Sequence, residues 1–258
     1  MKIIYLIVFI ISLGSNLFAQ HTQHKCYDED SKWEFELSPG AWFTLMKGDI
    51  TANGLPGYIN IGISDKFKGP DFSYFAEFEA RKNKFILIGQ FTSINQTGDG
   101  SFTQGPYAHS HSTVRPLFIV GGLAFDFYKN DEVVVQLFGG ARWNYIRNEI
   151  ETYFVSGGSQ KEKQSEGFID PLVGARFDYK PFKSRTLEDL HMKIYFDIGG
   201  YGLVSFLSFQ SYAALDYEFN KNFSLRLGYR YLDVHYGKNS YIYNVGIQGF
   251  EFVTTTRF

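Results

Sequence analysis

Two histidines separated by one residue are the first groups in the sequence that could carry chemistry, in His109-Ser110-His111-Ser112. On a strand, this spacing places both imidazoles on one face, where they could share a metal ion or activate a serine. The neighbouring sequence offers no third ligand and no acid fixed beside them, and His191 and His235 are isolated. The sequence therefore predicts no catalytic residue, no metal site and no cofactor.

Composition limits the class of protein to which these residues belong. Of the 258 residues, 44% are hydrophobic and 19% are aromatic, and 25 basic side chains face 27 acidic ones. A chain with so many apolar groups can bury a large core, which excludes intrinsic disorder. The near balance of charge argues against a nucleic-acid partner.

The N-terminal stretch has the pattern of a secretory signal. Lys2 precedes the apolar run 3–13, and a small residue, Ala19, follows it. This arrangement predicts a signal peptide at 1–19, a flexible segment at 20–32 and one domain at 33–258. A retained N-terminal anchor is the alternative. The single cysteine, Cys26, cannot form an internal disulfide, and no later apolar run is long enough for a transmembrane helix.

Apolar and polar residues alternate along most of the domain, which is the pattern of β-strands. In Phe223–Tyr231 the odd positions are apolar or aromatic, whereas the even positions are serine, arginine and glycine. The same alternation occurs in five other segments: 33–37, 76–81, 133–145, 169–179 and 194–198. The sequence predicts an all-β fold.

A soluble sandwich and a membrane barrel both produce this alternation, with opposite faces buried. Three features favour lipid: several strands exceed ten residues, the chain ends on the aromatic Phe258, and aromatic side chains concentrate near strand ends. The last group comprises Tyr128, Trp143, Tyr145, Tyr179 and Tyr217. We therefore predict a closed antiparallel transmembrane β-barrel, with Phe258 as a C-terminal signal for barrel assembly.

Turn residues divide the domain into ten predicted strands, with eight or twelve as alternatives. Short polar turns alternate with longer links at 47–73, 96–111 and 153–167, which we expect to face outward. Within the first of these links, 58–63 could form an additional strand. The predicted strands are 33–46, 74–81, 84–95, 112–128, 132–152, 168–180, 191–206, 209–219, 223–236 and 241–258.

If the apolar face meets lipid, charges of both signs point into the lumen. At this strand number the lumen is narrow, so long arginine side chains would cross it and pair with carboxylates. We predict a lumen occluded by an ion-pair network, with a selective conduit as the alternative. The predicted network is Glu34, Glu77, Glu79, Arg142, Asp170, Arg176, Asp197, Arg226, Arg230, Glu251 and Arg257, with Glu36, Lys193, Asp216 and Glu218 also inward.

Three segments of the second half carry a family resemblance: Phe168–Arg176, Asp197–Gly202 and Phe223–Val234. They resemble the DPLVGxR, DIGGFG and LGYRYLDV stretches of a poorly characterised family of Gram-negative outer-membrane β-barrel proteins. The resemblance implies a small barrel in the outer membrane and no defined substrate. It also implies that six matched residues are internal: Asp170, Arg176, Asp197, Arg226, Arg230 and Asp233.

These observations predict a non-enzymatic outer-membrane barrel with a structural or surface-binding role. One alternative is a narrow channel for small solutes. Another is a lipid-modifying enzyme with His109 or His111 at its rim. The expected partners are outer-membrane lipid, lipopolysaccharide and the barrel assembly machinery.

Overall fold

The structure, a computed structural model, describes residues 32–62, 73–103, 105–180 and 189–258. The predicted signal peptide and nearly all of the segment that follows it lie outside this part of the chain. Among the described residues, no helix has the length and apolar character needed to cross a membrane.

Twelve β-strands make up the described domain. The first six are β1 (Glu34–Ala52), β2 (Leu55–Ile61), β3 (Ser73–Lys82), β4 (Phe85–Ile94), β5 (Gln96–Ser101) and β6 (Tyr107–Lys129). The last six are β7 (Val133–Phe154), β8 (Ser159–Tyr179), β9 (Leu190–Gly199), β10 (Leu207–Asn220), β11 (Phe223–Lys238) and β12 (Tyr241–Arg257).

Ten of these strands form a closed antiparallel ring. The order β1-β3-β4-β6-β7-β8-β9-β10-β11-β12 is completed by pairing of β12 with β1, from Glu36–Arg257 to Thr51–Ile242. Closure satisfies the backbone hydrogen-bonding groups that an open sheet edge would expose to lipid. The all-β barrel predicted from the sequence is confirmed, with ten strands in its ring.

The remaining strands, β2 and β5, occupy segments that were predicted as loops. β2 pairs with the last part of β1 through the Asn53-Gly54 turn, in which both residues have positive φ. Such a turn suits a two-residue hairpin. β5 pairs with the start of β6, and β8 begins at Ser159 inside another predicted loop. The predicted loops were therefore too long, because strands that extend beyond the bilayer no longer need an apolar outer face.

The two faces of the ring have the inverse polarity of a soluble sandwich. On β11, Leu227 is 59% exposed, whereas its neighbours Arg226 and Arg230 are only 2% and 1% exposed. Tyr128 and Tyr179 are also exposed near strand ends, and Trp143 is exposed in the middle of β7. An exterior that presents apolar and aromatic groups, around an interior that buries charge, is the arrangement of a membrane barrel.

The two ends of the barrel differ. At one end, called here the terminal end, β1 begins, β12 ends and the turns around Asn83, Asp131 and Lys221 are short. At the other, called the hairpin end, β1–β2, β5–β6, β7–β8 and β11–β12 form hairpins, most of them long. β9 and β10 are shorter there and meet through 200–206.

Leu227→Arg tests the outward direction of the apolar face. Leu227 lies in the middle of the apolar stretch on β11, so an arginine there should lower the free energy of unfolding by about 2–4 kcal/mol. Phe219→Arg, near the terminal end of β10, is the matched control and should cost about 0–1 kcal/mol. Denaturant titration of the barrel in lipid vesicles measures both; equal and small effects would contradict this orientation.

Candidate functional site

The barrel interior is the candidate functional site, because it gathers most of the buried charge of the domain. Buried ionic groups occupy its middle and the terminal end, whereas buried aliphatic and tyrosine side chains fill the hairpin end. The lumen therefore has two layers of opposite chemistry.

Two arginines and two glutamates form the central cluster of the ionic layer. Glu77 on β3 accepts from Arg226 Nη2 at 2.6 Å and from Arg230 Nη2 at 2.8 Å. Glu251 on β12 accepts from Arg230 Nε at 2.6 Å. The four charges cancel, which buried ions require when no water is present to solvate them. Because β3 lies on the other side of β1 and β12 from β11, these bonds span part of the lumen.

Aromatic rings enclose the central arginines. The guanidinium carbon of Arg230 lies 4.5 Å from the ring centre of Phe75 and 4.9 Å from that of Tyr212. Arg226 lies 5.1 Å from the same tyrosine ring. These faces attract the cations and exclude water from them, which strengthens the ion pairs to the glutamates.

A second ionic group lies nearer the hairpin end. Arg142 on β7 donates from Nη2 to both carboxylate oxygens of Asp197 on β9, at 2.7 and 2.6 Å, and also contacts Ser208. The Tyr195 hydroxyl donates to the same aspartate at 2.7 Å. All of these groups are buried, so the pair links β7 to β9 across β8.

Asp170 is inside the barrel but has no cationic partner among the described residues. It pairs in register with Arg142, whose guanidinium turns to Asp197 instead. The carboxylate accepts from the backbone N–H of Ser205 at 3.1 Å and from Asn144 Nδ2 at 3.1 Å. Asp170 thus holds the β9–β10 connection against the wall, a role that the sequence did not indicate.

Partly solvated pairs surround the opening at the terminal end. Glu79 pairs with Arg176, and Arg257 donates to Glu36 at 2.9 Å. Glu34 is exposed and makes no ion pair with a described residue, so the structure does not bring it into the predicted network. Other pairs here are Arg81–Asp126, Lys193–Asp216, His191–Asp178 and His191–Glu218. Arg81, Asp126 and His191 were not predicted to pair.

A cavity of about 470 Å³ lies among these pairs. Arg176, Lys193 and Tyr212 line it, and the β1 residues Phe35 and Glu36 contribute to its rim. Water can therefore enter the lumen from the terminal end as far as Tyr212, whose ring packs against the arginines of the central cluster.

The hairpin end is filled by apolar side chains that the sequence analysis did not predict. Ile50, Ile59, Ile146, Ile150 and Tyr243 are buried there in one cluster. They occupy inward positions of their strands, where strict alternation had suggested polar residues. The signal was available in Tyr241-Ile242-Tyr243-Asn244-Val245, where apolar residues stand at the inward as well as the outward positions.

The β1–β2 hairpin crosses this end on the inner side of the wall. Thr152 Oγ1 donates to the Pro56 carbonyl at 2.6 Å, and a Cβ on Gly57 would lie 2.7 Å from Ile150. Glycine at 57 therefore permits the close approach of β2 to β7. At the tip, the Asn53 N–H donates to Gln164 Oε1 at 2.7 Å.

The two rim histidines, His109 and His111, lie apart from the ionic layer of the lumen. His109 stacks on Tyr153 with ring centres 4.3 Å apart. His111 Nδ1 lies 2.7 Å from Asp99 Oδ1. The sequence did not indicate this acid partner, because it predicts a loop where β5 forms. Ser110 and Ser112 are buried on the opposite face of β6, so neither hydroxyl lies beside an imidazole.

Phe258 closes the ring at the terminal end. Its backbone exchanges hydrogen bonds with Phe35, at 2.9 and 3.0 Å, and the two rings stack with centres 6.1 Å apart. The side chain is otherwise exposed. Its role as an assembly signal stays a prediction.

Glu77→Gln tests whether the central cluster stabilises the barrel. The change leaves two buried arginines with one carboxylate, so the free energy of unfolding should fall by about 3–5 kcal/mol. Glu36→Gln removes a carboxylate from the partly exposed pair with Arg257 and should cost about 0–1 kcal/mol. Unfolding in denaturant measures both, and similar losses in the two variants would contradict the assigned importance of the buried cluster.

Comparison with known proteins gives a likeness of fold. Neither a protein family nor a curated protein matches the chain. Among solved structures, the outer-membrane protease OmpT of Escherichia coli superposes with a TM-score of 0.51 at 10% identity, covering 92% of this chain and 98% of OmpT. Ail of Yersinia pestis, solved with sucrose octasulfate, gives a TM-score of 0.37 at 11% identity, covering 88% of this chain and 99% of Ail.

The likeness to OmpT extends over nearly the whole length of both chains. It agrees with the closed antiparallel ring, the apolar exterior and the buried charges described above. Together these features identify the chain as an integral membrane β-barrel with the fold of Gram-negative outer-membrane proteins.

Proposed function

We propose that the protein is a non-conducting barrel of the outer membrane, with a structural or surface-binding role and no catalytic activity. The terminal end faces the periplasm and the hairpin end faces outward, as short turns and long hairpins are arranged in such barrels. Phe258, at the periplasmic side, is the residue that the assembly machinery would read.

The observation that carries this proposal is the filling of the lumen by two successive layers. A solute entering from the periplasm meets the neutralised cluster of Glu77, Arg226, Arg230 and Glu251. Beyond it lies the apolar layer around Ile146 and the β1–β2 hairpin. Passage would require breaking buried ion pairs and opening a packed core, and each step is costly.

A narrow channel is the competing function, and the cavity at the terminal end is the feature that favours it. That cavity is lined by Arg176, Lys193, Glu36 and other groups of both signs, as in a polar conduit. The apolar layer has no matching charged lining among the described buried residues: Ile50 and Ile150 fill it, and the polar side chains buried beside them, such as Asn148, are neutral. We therefore propose that the cavity is a blind vestibule.

An enzymatic role would most naturally use the His111–Asp99 pair at the outer rim. Both side chains are solvated, with 52% and 79% of their surface exposed, so they lack the enclosed site that shields a reacting group. This exposure supports a non-catalytic role.

Planar-bilayer recording tests the closed lumen. We expect no steady conductance steps from the folded protein, because ions cannot cross the apolar layer. Ile150→Asp should introduce a leak, since a carboxylate draws water into that layer. Heat-modifiable migration on a gel checks that both proteins are folded barrels. Large, steady steps from the unaltered protein would show a channel and would contradict the proposal.

A further inference from the structure

Two arginines lie side by side on the outer surface of the hairpin end. Arg115 on β6 and Arg147 on β7 are partners in the antiparallel register, and both side chains are exposed on the outward face. Side chains at such paired positions lie about 5 Å apart at Cβ. Two like charges directly opposite each other destabilise a sheet unless another group compensates them.

The neighbouring side chains of the described barrel do not supply that compensation. Arg115 Nε donates to the neutral Asn95 Oδ1 at 3.0 Å, and Arg147 hydrogen-bonds to the Tyr145 hydroxyl. Neither arginine forms an ion pair with a described residue. The nearest acid along the outward face of β7 is Glu149. It forms ion pairs with Lys161 at 2.8 Å and with Lys163 at 3.0 Å. Hydrogen bonds from these two lysines lower the pKa of Glu149 to about 2, so its charge is already committed.

The pair also lies at a defined height relative to the membrane. Two and four residues before Arg147 on the same outward face are Tyr145 and Trp143, whose rings stack with centres 6.1 Å apart. Trp143 is 39% exposed and is followed toward the terminal end by the apolar residues of the lipid-facing surface. Aromatic rings of this kind mark the boundary between hydrocarbon and headgroups. The arginines therefore lie at headgroup level.

We propose that Arg115 and Arg147 form a binding site for a phosphate group on a phosphorylated glycolipid of the outer leaflet. Guanidinium groups bind phosphate through paired N–H donors, and one phosphate can neutralise both arginines at once. The site is continuous with the lipid-facing surface, so a lipid headgroup reaches it without leaving the membrane. The inference rests on the proposed outward direction of the hairpin end.

Binding of bisphosphorylated lipid A to the full folded chain in neutral detergent tests the site. Arg115→Gln combined with Arg147→Gln should weaken the apparent Kd about tenfold or more, because the paired donors are lost. Lys238→Gln, which removes an exposed cation at the hairpin end of β11, is the matched control and should leave the Kd within about twofold. Lipid A stripped of its phosphates should bind the unaltered protein as weakly as bisphosphorylated lipid A binds the double variant.

The melting temperature, measured without and with lipid A, gives a second readout. The effect of an Arg147 substitution on it should differ between these two conditions. Without lipid A, Arg147→Glu should raise the melting temperature, because a pair of like charges becomes an ion pair with Arg115. With lipid A present, the unaltered protein should gain stability and the variant should not. A variant that merely disturbs folding would instead lower the melting temperature in both conditions.

Four results would overturn the proposal. Three are an unchanged Kd in the double variant, an equal loss in Lys238→Gln, and equal binding of lipid A with and without phosphate. The fourth concerns inorganic phosphate, which should compete only weakly; competition as strong as that of lipid A would assign the site to free phosphate instead. None of these results depends on whether the lumen is closed. They are therefore distinguishable from a failure of the proposed function, which is tested by conductance.

Discussion

The absence of water around the barrel wall is the constraint on which the rest of the structure depends. Hydrocarbon offers no partner to a backbone N–H or C=O group, so the sheet must close, and β12 pairs with β1 to complete the ring. The same constraint sends charged side chains inward. Once inside a narrow lumen, Glu77, Arg226, Arg230 and Glu251 must neutralise one another, and the closure of the barrel thereby produces its ionic core.

The two layers of the lumen follow from where water can reach. Short turns leave the terminal end open, so the pairs around Arg176 and Arg257 keep partial contact with solvent. At the opposite end the β1–β2 hairpin folds inward and its isoleucines pack against those of β7. This filling is mainly apolar and carries no buried charge among the described residues, so it forms a barrier to ions. The barrel is therefore asymmetric: a charged vestibule on one side and a dry core on the other.

Much of the wall could be predicted from the sequence, because alternation directly encodes which face meets lipid. Phe223–Tyr231 is one strand with the predicted polarity, and the short turns near Asn83 and Lys221 lie where polar residues placed them. Strand ends outside the bilayer were less predictable, since their outer faces are polar. The sequence predicts loops where β5 and the start of β8 form. Asp99, the acid partner of His111, lies on β5, so its position could not be predicted either.

The interior was harder to predict, since alternation alone cannot distinguish a polar lumen from an apolar core. Asp170 was expected to meet a cation, but Arg142 has a choice of two aspartates and the partner is fixed by three-dimensional geometry. The dry layer is the central claim, and thiol labelling tests it most directly. In a Cys26→Ser chain carrying Ile150→Cys, a small membrane-impermeant thiol reagent added from either side should leave position 150 unmodified while the barrel is folded. Rapid labelling of the folded barrel from either side would show that water occupies this layer and would contradict the account.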